Sequence, residues 1–239
     1  DELGASFTDL FKESSRFSLV APGDYKFKSS YQRNPVKRVL ACIWNKLHGV
    51  DYYFSIVNVD AINRDGGDYG CFFRKLTPLL KRGKTVYFTS GSYLATLDNA
   101  SLFEPVAGLQ EKIDKYADLF GEKVYGLHIR RTDNTWAIEQ SPLEAFKILI
   151  DNAIECDASA RFYLSTDDRT VSDSFKELYQ AHILVREKQY GRDSLDAMKD
   201  AVVDMWLLSR TARIYGSFYS SFSEMSALIG HVRLDVVKK

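Results

Sequence analysis

The sequence has few cysteines, no long apolar run and no excess of charge of either sign. Its 239 residues include 32 basic and 32 acidic side chains, so the formal net charge is zero. This balance excludes a global electrostatic field that would concentrate the chain on nucleic acid or on an anionic membrane, and any anion binding must therefore be local. We expect no nucleic acid among the partners.

The three cysteines are Cys42, Cys71 and Cys156. They are odd in number and widely spaced, with no paired C-x-x-C and no histidine cluster, so the sequence predicts neither a disulfide framework nor a zinc site. We interpret them as buried thiols in a reducing compartment and on that basis expect a cytoplasmic location. No run of about eighteen apolar residues occurs, so we expect no membrane span, and no signal-peptide pattern opens the chain.

From Glu104 onward, helical patterns alternate with short β-branched runs, which is typical of a parallel α/β sheet. The predicted strands are Val124 to Ile129, Arg161 to Ser165, His182 to Val185 and Arg213 to Gly216. Three predicted helices are Pro105 to Phe120, Val171 to Tyr179 and Ser221 to Ile229. A fourth begins at the cap Ser141, with Pro142 in its first turn, and a fifth runs from the cap Ser194 to Ser209.

The front half of the chain is less regular. The pattern predicts strands at Tyr52 to Val57 and Thr85 to Phe88, with helical stretches near Val36 and Phe72. No repeat or low-complexity linker marks a domain boundary, which we expect between Tyr93 and Phe103.

Polar residues follow the predicted strands directly at three places, and ligands of an open parallel sheet bind outside the carboxyl ends of its strands. The first is residues 126–133, where an apolar strand leads to Arg130, Arg131 and Asp133, and alternation places His128 on the face of Arg130. A guanidinium has paired donors that match phosphate oxygens, and Asp133 can orient one of the arginines. The alternative is a surface arginine pair that balances Asp133.

The second place is residues 162–168, a strand that ends in Thr166, Asp167 and Asp168. These carboxylates can accept hydrogen bonds from a base or a ribose. They can equally form an acidic cap for the helix that follows, and both interpretations stay open.

The third place is residues 216–224, a strand-to-helix turn with four serines, including Ser217, Ser220 and Ser221. Amides and hydroxyls at a helix N-terminus form an anion site, although Ser220 or Ser221 followed by Glu224 also fits a capping box. Together the three segments predict a pocket with cationic, acidic and hydroxyl groups that suits a nucleotide diphosphate.

These segments resemble motifs of the fucosyltransferase superfamily, which includes α-1,6-fucosyltransferases, nodulation fucosyltransferases and protein O-fucosyltransferases. The resemblance covers roughly the last half of the chain. It is carried by H-I-R-R-T-D at 128–133, L-S-T-D-D at 164–168 and G-S-F-Y-S-S-F-S-E at 216–224. It implies a GT-B architecture of two facing Rossmann-like domains. Residues 101–239 would be the Rossmann-like domain that binds the nucleotide sugar, and residues 1–100 the remnant of an acceptor-side α/β domain.

The opening D-E-L-G-A-S-F-T-D-L-F at residues 1–11 resembles a stretch that follows the first strand and helix of such enzymes. That likeness implies that the loop bearing glycine and arginine, which precedes this stretch in the family, is missing here. We therefore expect either that the chain binds a GDP-sugar yet turns over poorly or not at all, or that its first domain is incompletely folded.

The same resemblance implies roles for individual residues in binding a GDP-sugar donor. His128 and either Asp167 or Asp168 would contact guanine or ribose, and Arg130 the β-phosphate. Arg131 and Asp133 would shape the pocket. Ser217, Ser220 and Ser221 would contact the diphosphate, and Thr166 completes the donor-binding set.

The expected reaction is transfer of fucose from GDP-fucose to a hydroxyl of a carbohydrate or glycoconjugate acceptor, by an inverting displacement. The sequence contains no D-x-D triplet, so we expect no metal and no other cofactor, with Arg130 as the catalytic counter-charge on the departing GDP. Glu224 is a candidate general base, although its spacing suits a helix cap better. The alternative is a non-catalytic module that binds GDP or a nucleotide sugar. A phosphohydrolase would need a second acidic cluster or a G-x-S-x-G elbow, which the sequence lacks.

Overall fold

A five-stranded, all-parallel sheet is the framework of the C-terminal half of the protein in the computed structural model. The structure describes residues 4–15, 35–54, 77–79, 81–84, 86–88, 103–121, 123–132 and 135–239. Within these residues the strands are β1 (Tyr52–Phe54), β2 (Val86–Phe88), β3 (Val124–Ile129), β4 (Arg161–Thr166), β5 (Ile183–Leu184), β6 (Ile214–Ser217) and β7 (Leu234–Val237). The helices are α1 (Phe7–Leu10), α2 (Pro35–Leu47), α3 (Ala107–Ala117), α4 (Thr135–Gln140), α5 (Leu143–Cys156), α6 (Arg169–Tyr179), α7 (Leu195–Ser209) and α8 (Ser221–Gly230).

The order of the five strands across the sheet is β5-β4-β3-β6-β7, and every neighbouring pair is parallel. If the five strands of this sheet are numbered along the chain, with β3 as strand 1 and β7 as strand 5, the order is 3-2-1-4-5. The direction of winding therefore reverses between β3 and β6. The α/β class and the Rossmann-like parallel sheet predicted from the sequence are confirmed.

Helices cover both faces of this sheet, which explains why its central strands are apolar almost throughout. Side chains of α3, α7 and α8 pack with Val124 and Ile214 on one face. Side chains of α5 and α6 pack with Leu127, Ile129 and Phe162 on the other. Full burial of an apolar side chain of this size contributes about 1.5–3 kcal/mol to stability. Alternation along β3 turns His128 towards the α8 side, away from Leu127 and Ile129.

Helix α7 is buried around most of its circumference rather than along one stripe. The sequence predicts a single apolar stripe on it, formed by Leu195, Met198, Val202, Met205 and Leu208. In the structure Trp206 and Leu207 are buried as well, and so are two acids, Asp200 and Asp204. The reason is that α7 lies between the sheet and three other helices, α1, α3 and α8.

Several predicted boundaries shift in the structure. The strand predicted at Val124 to Ile129 is confirmed in full. The strand predicted at Arg213 to Gly216 is β6, which lies one residue later, at Ile214–Ser217. Helix α5 begins at Leu143 with Pro142 in extended conformation as its N-cap, so the prediction of Ser141 as the cap is wrong. The hydroxyl of Ser141 has other partners, which are described below. Strand β7 and helix α4 were not predicted.

Two of the three cysteines contradict the expectation of buried thiols. Cys42 on α2 and Cys156 at the end of α5 are exposed, and Cys71 lies outside the described residues. The cytoplasmic location inferred from cysteine usage stays a prediction. Among the residues that the structure describes, none of the helices is both long and apolar enough to cross a bilayer.

The chain divides into two compact units, Asp1–Arg16 with Asp98–Lys239, and Phe17–Leu97. In the described part of the second unit, β1 and β2 form a two-stranded parallel sheet, and α2 is the helix predicted near Val36. The helical stretch predicted near Phe72 and most of the expected boundary lie outside the described residues. The assignment of residues 1–100 and 101–239 to acceptor-side and donor-side domains stays a prediction, while the structure groups the opening segment with the C-terminal unit.

Candidate functional site

The gap between the carboxyl ends of β3 and β6 is the switch point of the sheet, where an open α/β fold forms its ligand crevice. The backbone N–H of Arg130, just after β3, donates to the hydroxyl oxygen of Ser217 at the end of β6, at 3.0 Å. The same hydroxyl donates to the carbonyl oxygen of His128 at 3.2 Å. Ser217 thus joins the first and third predicted segments directly across the switch point.

Arg131 is half-buried and is held from two sides. Its backbone N–H donates to Asp167 at 2.7 Å, and its Nη2 donates to the carbonyl oxygen of Ser141 at 2.7 Å. Its Nε is buried and has no hydrogen-bond partner among the described residues. Burial lowers the pKa of Arg131, while Asp167 and Asp168 raise it. The alternative, an arginine pair that balances Asp133, stays a prediction, because Asp133 is not among the residues that the structure describes.

The two acids after β4 make different contacts. Asp167 accepts hydrogen bonds from the backbone N–H groups of Arg131 and Thr132 and from the hydroxyl of Thr132, so it anchors the loop after β3. Asp168 is the N-cap of α6 and accepts from the N–H groups of Thr170, at 2.8 Å, and Val171. The hydrogen bond from the Thr170 hydroxyl is the main cause of the lowered pKa of Asp168.

The acidic-cap interpretation is thus confirmed for Asp168, while Asp167 brings the second segment into contact with the first. Thr166 is buried at the end of β4, and its hydroxyl accepts from the N–H of Asp168 at 3.2 Å. Donor-binding roles for Thr166, Asp167 and Asp168 stay predictions. Asp133 lies outside the described residues.

The N-terminus of α8 faces the same gap, and its side-chain arrangement differs from a capping box. Ser220 is the N-cap but makes no side-chain capping hydrogen bond, and Ser221 is exposed. Glu224 is exposed and is the fourth helical residue, one position beyond that of the acid in a capping box. The capping-box interpretation is therefore wrong. The partial positive charge of the helix N-terminus is available to an anion.

His128 is buried against α8 and is neutral at physiological pH. Its Nδ1 lies 2.9 Å from the hydroxyl oxygen of Ser223 and 3.3 Å from that of Ser220, and its ring stacks on Phe222 with centroids 4.7 Å apart. Gly216 permits this approach, since a Cβ there would lie 2.7 Å from Ser223. Burial is the main cause that lowers the pKa of His128 to about 4. His128 therefore supplies a neutral imidazole beside the crevice.

A buried ionic network lies behind the end of β4, and the sequence did not predict it. Asp204 of α7 accepts hydrogen bonds from Arg186 at 2.8 Å, from the hydroxyl of Tyr163 at 2.7 Å, and from Lys188. Lys188 also donates to the carbonyl oxygen of Thr166 at 2.7 Å. Burial raises the pKa of Asp204, but Lys188 and Arg186 outweigh it and hold that pKa below its usual value.

The network fixes the ammonium group of Lys188 at the carboxyl end of β4, where Lys188 lowers the pKa of His128 further while Asp204 raises it. The signal in the sequence is the pair Asp200 and Asp204, one turn apart within an apolar helix, together with Arg186 and Lys188 after β5. Asp200 pairs with Arg186 at 2.6 Å, so each buried acid has a cationic partner. Within the part of the chain that the structure describes, no group of three or more histidine, cysteine, aspartate or glutamate residues is arranged to bind a metal ion.

No protein-family model and no curated protein matches this chain. Among solved structures, it is similar to the NodZ α-1,6-fucosyltransferase crystallised with GDP, with 18% identity and a TM-score of 0.47 over 65% of this chain and 56% of that one. The fucosyltransferase NodZ from Bradyrhizobium, as its selenomethionine form, gives 18% identity and a TM-score of 0.45 over 61% and 51%.

A third solved structure is POFUT1, a protein O-fucosyltransferase, in complex with GDP. It shares 11% identity and a TM-score of 0.46 with this chain, over 69% of this chain and 58% of that one. The chain thus spans a little more than half the length of these structures. The likeness is one of fold.

Proposed function

We propose that this chain binds a nucleoside diphosphate sugar at the β3–β6 switch point and is the donor-binding part of a fucosyltransferase-like glycosyltransferase. One observation carries the proposal. Ser217 joins the strand end that bears Arg130 and Arg131 to the loop that leads into the uncapped N-terminus of α8. Two guanidiniums and a helix N-terminus at one strand edge form an anion site with the two kinds of donor that phosphates prefer.

The groups around this anion site suit the remainder of a nucleotide. An acid at the end of the second strand of a Rossmann-like sheet is placed to meet a ribose hydroxyl, and Asp167 follows β4, the second strand here. His128 is neutral, so it can hydrogen-bond to a base without competing with the arginines for the phosphates. Ser220 and Ser221 begin α8, where their N–H groups and hydroxyls can contact the diphosphate.

In the proposed reaction an acceptor hydroxyl oxygen attacks the anomeric carbon of the donor from the face opposite GDP. The new C–O bond forms as the bond from that carbon to the β-phosphate oxygen breaks, and inversion follows. The hydroxyl proton passes to a base or to solvent, and the bonding electrons leave with GDP. Arg130 stabilises the charge that grows on the β-phosphate, in the role that a metal has in other transferases. Glu224, exposed in the first turn of α8, is a candidate base.

The proposal is tested by titrating GDP, GDP-fucose, UDP and ADP into the protein by calorimetry, without added metal and again with a chelator. We expect guanine-selective binding that Arg130→Ala weakens at least about tenfold, because a charge-assisted contact to phosphate is lost. The matched control is Arg233→Ala. Arg233 is an exposed arginine that directly precedes β7 and so lies at the amino ends of the strands, away from the proposed site. An unchanged affinity in Arg130→Ala, or equal affinities for all four nucleotides, would contradict the proposal.

Turnover distinguishes an enzyme from a non-catalytic binding module. Transfer to oligosaccharides and hydrolysis of GDP-fucose are measured with the intact protein and with Arg130→Ala, whose circular-dichroism spectrum must match. We expect at least a hundredfold loss of rate in the variant, the order of magnitude for removing one stabilising donor from a developing anion. Tight GDP binding with neither transfer nor hydrolysis would favour the binding module.

A further inference from the structure

An exposed aromatic cluster lies beside the proposed anion site, on the β6–β7 side. The ring of Trp136 in α4 meets Phe218 edge to face with centroids 4.8 Å apart, and Tyr219 with centroids 5.4 Å apart. Trp136 is 51% exposed and Tyr219 is 67% exposed. Phe218 and Tyr219 directly follow Ser217, so the cluster is continuous with the switch point.

The backbone holds Tyr219 outward in an unusual conformation. Its φ is 53°, in the left-handed region that bulky side chains rarely adopt. Such strain persists only where the surroundings impose it, and it concentrates in ligand-binding segments. The N–H of Phe218 is fixed by the hydroxyl of Ser141 at 2.8 Å, and the ammonium of Lys238 lies 4.4 Å from the Phe218 ring centroid. The rings are therefore supplied by α4 and by the segment after β6, and Lys238, just after β7, lies over one of them.

We propose that Trp136, Phe218 and Tyr219 form a stacking platform for a neutral pyranose ring of the acceptor oligosaccharide. This proposal rests on the proposed function, because the platform matters only beside a nucleotide-sugar site. The face of an aromatic ring is electron-rich and attracts the weakly positive C–H groups that line one face of a pyranose. A neutral acceptor has no charge for the arginines to hold, so its affinity must come from contacts of this kind.

The position of the cluster favours the acceptor over the nucleotide. Asp167, the candidate ribose contact, lies at the end of β4, on the opposite side of β3 from β6. A donor that runs from that end across the switch point directs its base and ribose away from the cluster. Its diphosphate end then points towards the rings, where the acceptor must approach the anomeric carbon.

The test uses fluorine NMR of the intact protein labelled with 5-fluorotryptophan. The label gives three signals, which come from Trp44, Trp136 and Trp206. The signals are assigned with Trp→Phe variants. Cellotetraose, maltotetraose and the tetramer of N-acetylglucosamine are titrated to about 10 mM, with and without saturating GDP, which detects millimolar dissociation constants. We expect at least one of the three to shift the Trp136 signal, while the signal of Trp206, which is buried in α7, stays unchanged.

Two variants probe the rings. We expect Trp136→Ala and Tyr219→Asn each to weaken oligosaccharide binding roughly three- to tenfold, as befits the loss of one aromatic contact. Asparagine tolerates the left-handed conformation of residue 219, so the second variant removes the ring without adding strain. Trp206→Phe is the control, since Trp206 is buried in α7, and GDP binding must be unchanged in that control and in Trp136→Ala.

The possible outcomes separate this proposal from the proposed function. If GDP binds but no tetrasaccharide shifts the Trp136 signal, the platform is overturned and the donor site stands. If Trp136→Ala weakens GDP binding, the cluster holds the nucleotide, and if it weakens GDP-fucose binding alone, the cluster holds the donor sugar; either result overturns the acceptor platform. Failure of GDP to bind overturns the proposed function, and this proposal with it.

Discussion

His128 is kept neutral by burial on the α8 side of the sheet, where it contacts Ser223 and stacks on Phe222. Two nearby cations, Lys188 and Arg130, add to this effect, and two acids oppose it without prevailing. An imidazolium here would repel the arginines that are proposed to hold the diphosphate. The low pKa therefore leaves the positive charge of the site with the groups that face the ligand.

The burial of His128 predicts how stability depends on pH. The unfolded chain takes up a proton at about pH 6.5, but folded His128 does so only at about pH 4, so stability is full above 6.5 and is lost as pH falls towards 4. A difference of this size corresponds to about 3 kcal/mol. We expect urea unfolding between pH 7 and 4 to show this loss in the natural protein and a smaller one in His128→Gln. Parallel curves for the two proteins would contradict the assignment.

At the residue scale, the sequence was informative where a polar side chain directly follows an apolar strand. Arg130, Asp167 and Ser217 were predicted to converge because the carboxyl ends of parallel strands meet at one edge. The partner of each could not be predicted, since a hydrogen bond such as that between Arg130 and Ser217 joins residues 87 positions apart. The Asp204 network was missed for the same reason, as its members come from separate strands and α7.

At the element scale, Ser141 connects segments that follow three different strands. Its hydroxyl donates to the carbonyl oxygen of Val237 at the end of β7 and accepts from the N–H of Phe218 after β6. Its carbonyl oxygen accepts from Arg131 after β3. The sequence places a serine before Pro142, which is typical of a helix cap, and local propensity gives no sign of these distant partners.

Removing this hydroxyl should affect both folding and binding. Ser141→Ala leaves a buried carbonyl oxygen and an amide without their partner, which costs about 1–3 kcal/mol of unfolding free energy. We also expect weaker GDP binding, because the segment from Phe218 to Ser221 loses a fixed point. The control is Ser159→Ala, which removes an exposed hydroxyl bonded to Asp157. Denaturant melts and calorimetric titration check both effects, and a Ser141 variant that behaves like the Ser159 variant would refute this role.

At the scale of the whole molecule, the alternation of helices and strands was sufficient to predict the α/β class and most of the parallel sheet. Strand β7 was missed because it is a four-residue edge strand in which Val236 stays 43% exposed, so it lacks the apolar pattern of β3 and β4. Strand order was not predictable from local patterns, since it depends on which faces the crossover helices cover. This order makes β4, β3 and β6 neighbours in the sheet, so the three motifs at their carboxyl ends lie side by side and form one candidate site.

Because the proposed site consists of segments that join several strands, occupancy by GDP should stabilise the fold. A ligand that binds only the folded state adds about 2.7 kcal/mol to the unfolding free energy at one hundred times its dissociation constant. In hydrogen-exchange measurements we expect the largest protection at residues 130–132 and 217–223, because they lie at or beyond strand ends, where amides exchange through local opening. UDP at the same concentration is the control. Protection centred instead at the opposite edge, around residues 157–161, would place the nucleotide away from the switch point, and the donor site would have to be sought there.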